Sequence, residues 1–306
     1  MAQPMMAKLR ARLPAETAGA RIDVLAPPWV APVLRRMAEV DEVIEADLRH
    51  DALQLGERWR LGRMLKNRAY DHAVVLPNSW KSALIPFFAG IPLRAGYCGE
   101  LRYGLLNVIH EEKRGREAMA LHYARLAGTP GAEPDTPLPF PSLRFNGEKE
   151  RMTAARFGIA GPYTVLCPGA EYGPAKRWPF FRELASKLDS QVVLLGSASD
   201  RNEAERIAGK NLVGKTTLDE AIDLIAGAAM VVSNDSGLMH VAAATGTPQV
   251  ALFGSSSPEH TPPLSALARV LWLNMECSPC YARECPLGHF RCMKELSVEQ
   301  VLAAMK

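Results

Sequence analysis

Apolar residues along this chain fall into short runs separated by stretches with helical spacing. Residues 21–26 form a strand-like run closed by Pro27-Pro28, and residues 42–46 a second short strand candidate. Between residues 57 and 67, Leu61, Met64 and Leu65 recur at i, i+3 and i+4, the spacing of one helix face. Residues 72–77 read as a buried strand, after which Ser79 can cap a helix running to about Ala89. The second half repeats the alternation more cleanly. Strands are expected at 163–167, 191–195, 212–213, 229–233 and 249–254, with helices at 179–188, 200–208, 218–226 and 237–244, and a last amphipathic helix at 297–305. Strands alternating with helices predict an α/β protein with parallel sheets.

Residues 128–147 interrupt this pattern with Gly128, Gly131 and five prolines, and they read as a linker. The expected domains are therefore 1–147, linker included, and 148–306, with the final helix able to pack back on the first. The length of 306 residues suits two domains of roughly 150 residues each. With 48% hydrophobic and 23% charged residues the composition excludes disorder and small disulfide scaffolds. A net charge of +3 is too small to argue for nucleic acid, but it leaves room for a local basic site that binds an anion. Residues 1–10 read as an amphipathic helix rather than a signal peptide, and no apolar run reaches membrane-spanning length. The expected compartment is the cytoplasm, where six cysteines read as thiols or metal ligands.

In open α/β sheets ligands bind beyond the carboxyl ends of the strands. Four strand-to-helix turns are rich in small and polar residues there. The first is Asp235-Ser236-Gly237-Leu238, with His240 in the first helical turn: Asp235 or Ser236 can cap the helix, Gly237 permits close approach, and free N–H groups favour phosphate. The second, from Pro168-Gly169 to Lys176-Arg177, ends in two cations before a helix, where they oppose the helix dipole unless an anion lies between them. The third is residues 196–200, ending in Asp200, and the fourth residues 214–218, including Thr217 and Leu218. Together they outline a crevice for a nucleotide. Neither Gly-x-Gly-x-x-Gly nor a P-loop occurs, which argues against a nicotinamide dehydrogenase or a P-loop kinase.

These residues carry a resemblance. Val231-Val232-Ser233 with residues 234–240, Ala242-Ala243-Ala244, Pro248 and residues 252–258 resemble the signature of glycosyltransferase family 9, the ADP-heptose:lipopolysaccharide heptosyltransferases. Residues 167–179 are similar to the donor loop of the members that add the second heptose, as are residues 76–83, 86–92, 94–97 and 102–107 of the first half. The resemblance implies a GT-B fold: two Rossmann-like domains with a cleft between them. It implies inverting, cofactor-free transfer of heptose from ADP-heptose to the lipid-linked core oligosaccharide of lipopolysaccharide, with no nucleic-acid partner. By position, Lys176 would neutralise the diphosphate, helped by Pro168, Gly169 and Arg177. Asp235, Ser236, Gly237, Leu238 and His240 would hold diphosphate and sugar, Thr217 and Leu218 the adenosine, and Asp200 the ribose. Asn78, Ser79 and Lys81 would meet the acceptor. The family's general base, an Asp in a Gly-Asp turn after a first strand, matches no residue here and is expected before Met1. Two rivals stay open: a relative that binds nucleotide sugar without transfer, and another GT-B sugar-nucleotide enzyme.

A lipid-linked acceptor also implies peripheral contact with the inner membrane, for which Lys8–Arg12 and residues 113–116 offer basic stretches. Finally, Cys277, Cys280, Cys285 and Cys292 fall within 16 residues around His289. They read either as a structural Zn²⁺ or Fe–S site or as free thiols. Cys98 and Cys167 read as small buried apolar residues.

Overall fold

The computed structural model describes residues 1–13, 20–49, 51–113, 115 and 117–306. It divides into two compact units, Met1–Ala31 with Glu39–Pro139, and Pro32–Ala38 with Phe140–Lys306. The short segment Pro32–Ala38 falls in the second unit because Arg36 forms an ion pair with Asp223, at 2.5 Å, and with Asp219. Met37 adds a bridge to Leu143.

In the first unit, β1 (Asp23–Ala26) pairs in parallel with β2 (Glu42–Glu45). A separate parallel sheet has the order β3 (His72–Val75), β4 (Leu93–Tyr97), β5 (Val108–His110). The helix Leu55–Lys66 buries Arg58, Leu61, Gly62 and Leu65. Met64, expected on that face, points out and is 39% exposed. Gly62 explains the rotation: a side chain there would overlap Phe88, so this face lies directly against the helix Leu84–Phe88. Ser79 stands before a 3₁₀ turn, Trp80–Ala83, and its side chain makes no capping bond.

The second unit is one six-stranded parallel sheet built from β6 (Tyr163–Cys167), β7 (Gln191–Leu194), β8 (Lys210–Asn211), β9 (Met230–Asn234), β10 (Gln249–Phe253) and β11 (Ala268–Trp272). Their spatial order is β11-β10-β9-β6-β7-β8. The chain starts at the centre with β6, works outward through β7 and β8, then crosses back to β9 and works outward the other way. Connections leaving β6 and β9 therefore diverge, the arrangement in which such sheets bind ligands beyond the strands' carboxyl ends. All five residues of β6 and of β10 are buried, as expected of central strands covered on both faces. Two elements depart from the sequence reading. Strand β8 precedes the expected 212–213, and β11 had no counterpart, because its partly exposed Ala-Arg-Val-Leu-Trp lacks the continuous apolar run of an interior strand. The final helix, Val298–Ala304, buries Val298 and Val301 in the core of this second unit with Trp178, Phe181 and Leu184.

Candidate functional site

Asn234, fully buried at the end of β9, joins the two loops at the crevice. Its amide donates to Pro168 O at 2.8 Å and to Gly169 O at 3.3 Å, while its carbonyl oxygen accepts from Trp178 N at 3.1 Å. One side chain thus fixes both ends of the loop that follows β6. The sequence places Asn234 in the turn without marking this role.

The next residue, Asp235, does not cap the helix Gly237–Thr245. Its carboxylate accepts from Lys176 Nζ at 2.5 Å and from Ser256 Oγ at 2.6 Å, with Thr261 Oγ1 at 3.5 Å. Ser236 stands at the cap position, yet its side chain makes no capping bond and, among the described residues, its buried hydroxyl has no partner. The helix N-terminus is thus left without a side-chain cap, and beside it Gly237 is exposed, with open space where a Cβ would project. Orphan N–H groups at a helix start beside a cation make a site for an anion. Leu238 is half-buried on the same turn, and so is His240. Burial, with positive charge nearby that includes Lys176 and despite Asp235, lowers the His240 pKa to about 4, so the ring is neutral near pH 7.

Other expected residues are held differently. Arg177 forms an ion pair with Glu203 and donates to Ala170 O at 3.5 Å. Its guanidinium is therefore engaged within the protein rather than offered with Lys176. Asp200 is 6% exposed and closes a capping box: one carboxylate oxygen accepts from Ser197 N at 2.9 Å and Ser197 Oγ at 2.7 Å. That oxygen holds its own turn, and the other oxygen is buried with no partner among the described residues. A side chain at Gly169 would overlap the Asp200 carboxyl, so glycine is required where the two loops meet. Thr217 caps the helix Leu218–Ala226 reciprocally with Glu220; Thr217 is exposed and Leu218 half-buried at the mouth of that turn.

The cysteine segment packs on the loop that carries Lys176. Arg283 O accepts from Ala175 N at 3.1 Å, Arg283 Nε donates to Tyr172 O at 2.7 Å, and Tyr172 Oη donates to Tyr281 O at 2.7 Å. All four cysteines are free thiols that line one cavity of about 20 Å³ with His289, Ala175 and Ser255. Among the described residues no group of three His, Cys, Asp or Glu side chains is placed to hold a metal ion, so the thiols share a cavity without forming an ion site as they stand. Backbone N–H groups, Phe290 first, hold the Cys285 thiol below its ordinary pKa, whereas burial raises Cys292 to about 11.

In the first unit, residues 77–82 are organised by Arg102, which is 1% exposed. Its guanidinium donates to Pro77 O at 2.6 Å, to Ser82 Oγ at 3.2 Å and to Tyr97 O. Asn78 donates to Glu112 at 3.0 Å, Lys81 to Ala52 O at 3.4 Å, and Ser79 O accepts from Ser82. In the basic stretch at the start, Lys8 pairs with Asp135 at 3.5 Å, Arg10 pairs with Asp41, and Arg12 donates to Ala127 O. Arg114 and Arg116 of the second basic stretch lie outside the described residues, and Lys113 pairs with Glu133 at 2.6 Å. Among the described residues no helix is long and apolar enough to cross a membrane.

Residues 58–291 match the family described as "Glycosyltransferase family 9 (heptosyltransferase)". The chain is 43% identical over 325 aligned residues to lipopolysaccharide heptosyltransferase 2 of Escherichia coli, covering 99% of this chain and 92% of the relative. It is 45% identical over 276 residues to lipooligosaccharide heptosyltransferase 2 of Haemophilus influenzae, covering 82% and 80%. The solved structure of E. coli ADP-heptose LPS heptosyltransferase II superimposes with a TM-score of 0.87 at 40% identity, covering 99% of this chain and 92% of that one.

Proposed function

The chain belongs to glycosyltransferase family 9, and on that footing we propose that it transfers heptose from ADP-heptose to the lipopolysaccharide inner core, adding the second heptose. The observation that carries this reading is the 43% identity with E. coli lipopolysaccharide heptosyltransferase 2 across nearly the whole of both chains.

The donor's diphosphate is assigned to the uncapped start of the helix Gly237–Thr245 and to Lys176. When an acceptor hydroxyl attacks the anomeric carbon and passes its proton to a base, the bond from that carbon to the phosphate oxygen breaks and negative charge gathers on the departing ADP. Lys176 and the fixed amides of the helix start already face that charge, so they need little reorganisation. This compensation is the role a divalent cation would otherwise take, and we read the transfer as metal-independent. Attack opposite the leaving group inverts the anomeric configuration. Neutral His240 supplies a hydrogen-bonding edge beside the diphosphate without adding charge. Thr217 and Leu218 are assigned to the adenosine, and Asn78, Ser79 and Lys81 to the acceptor. Because that acceptor is lipid-linked, the reaction belongs at the cytoplasmic face of the inner membrane.

The test is direct. The purified chain is incubated with ADP-heptose and a core acceptor that carries one heptose. Release of ADP with an acceptor mass gain of one heptose is expected. ADP-heptose that is bound but never consumed in the presence of acceptor would overturn the reading.

A further inference from the structure

The loop that presents Lys176 ends in Lys176-Arg177, and two adjacent cations suggest a paired grip on a diphosphate. The geometry divides them. Arg177 is committed to Glu203 and to Ala170 O. A different cation, Arg283, packs against this loop. The Arg283 guanidinium lies 5.5 Å from the centre of the Tyr172 ring, and Lys176 Nζ lies 5.0 Å from the same centre. Lys176 has a carboxylate partner in Asp235, whereas Arg283 forms no ion pair among the described residues.

An exposed arginine is usually only a solvated charge. This one is fixed to the loop in three ways. Its Nε donates to Tyr172 O at 2.7 Å, its own carbonyl accepts from Ala175 N at 3.1 Å, and its guanidinium stacks on the Tyr172 ring. The two segments also meet backbone to backbone at Gly173, where φ is +147° and any side chain would overlap Arg283 O. The guanidinium is thus held in place before any ligand arrives, which removes much of the ordering cost of using it. Both cations thus lie against one ring, Lys176 with a carboxylate partner and Arg283 without one among the described residues.

We propose that Arg283, rather than Arg177, is the second cation of the donor loop and binds the phosphate groups of the nucleotide together with Lys176. The cysteine-rich segment thereby becomes part of the donor site, because Arg283 lies between Cys280 and Cys285. The proposal rests on reading this crevice as the ADP site, and the test separates the two. ADP and adenosine affinities are measured by calorimetric titration on the full chain, for wild type, Arg283→Ala, Arg283→Lys and Lys176→Ala. Arg283→Ala should raise the Kd for ADP about tenfold, the loss of one charge-assisted contact. Adenosine, which has no phosphate, should bind within about twofold of wild type. Arg283→Lys should recover part of the ADP affinity. Wild-type ADP affinity in Arg283→Ala, with Lys176→Ala weakened, overturns the proposal and leaves the ADP reading standing. Equal losses for ADP and adenosine also overturn it, since they mark a purely structural role. ADP affinity unchanged in both variants sinks the ADP reading itself.

Discussion

The ammonium of Lys176 lies 2.5 Å from the carboxylate of Asp235, a residue 59 positions later in the sequence. The pair joins the loop after β6 to the turn after β9. Lys176→Ala should therefore do two things at once. It should weaken ADP binding by about tenfold or more, and it should leave a carboxylate that is 5% exposed without its cation. We expect unfolding free energy in urea to fall by roughly 2–4 kcal/mol, with Ser256 and Thr261 retaining part of the support for Asp235. Asp235→Asn should restore much of the stability of Lys176→Ala but none of its ADP affinity.

Asn234→Asp is nearly isosteric yet removes both N–H donors. The carbonyls of Pro168 and Gly169 would lose their partner and face a buried carboxylate instead. A loss of about 3 kcal/mol or more is expected by denaturant titration. Donor KM should rise more than acceptor KM, because the damage falls on the donor loop.

Gly169→Ala should be destabilising by roughly 1–3 kcal/mol, since its methyl group overlaps the Asp200 carboxyl. The added substitution Asp200→Ala removes the obstacle. The double variant should then be more stable than the sum of the two single losses predicts, and a double-mutant cycle on thermal unfolding measures the coupling.

His240 gives a prediction with a definite sign. Its pKa falls from 6.5 to about 4 on folding, so the unfolded chain takes up a proton that the folded chain refuses. The resulting stability is fully present above about pH 6.5 and is lost as pH falls toward about 4. His240→Gln should flatten that part of the stability curve. Burial also lowers His72 and His110, so some slope will remain. The affinity for ADP should show no step from His240 between pH 6 and 8.

The cysteines should react in order. Thiolate is the reactive form, and backbone N–H groups favour it at Cys285, while burial opposes it at Cys292. Limited alkylation with iodoacetamide near pH 7.5, mapped by mass spectrometry, should label Cys285 well before Cys292. Faster labelling of Cys292 would contradict this arrangement.

Much of the second unit could be read from the chain alone. β6 and β10 are continuous apolar runs because both faces are covered, and Leu218–Ala226 declares itself by Thr217, Glu220 and a strong apolar face. Strand β11 escaped because an edge strand needs no such run. Segment Pro32–Ala38 could not be assigned from local pattern, since its membership depends on Arg36 meeting Asp219 and Asp223, more than 180 residues away. The site divides the same way. Local chemistry marked Lys176, Gly237 and the turn around Asp235. What each group is free to do depended on distant partners: Glu203 occupies Arg177, Ser197 occupies one oxygen of Asp200, and Arg283 arrives from the far end of the chain. Asn234 was in plain view, but nothing in its neighbours revealed that it spans two loops.

The strand order β11-β10-β9-β6-β7-β8 has a consequence for how this protein can change. The crevice exists because the chain reverses its direction of travel across the sheet, and no core residue had to be sacrificed to make it. Val165, Leu166, Val231 and Val232 beneath it are fully buried. Selection, or an engineer seeking a different nucleotide, can therefore rewrite the four turns while the sheet stays intact. Ligand choice is stored in the turns, and the stability cost of rewriting them falls on the contacts that tie turn to turn, such as Lys176 with Asp235, rather than on the sheet beneath.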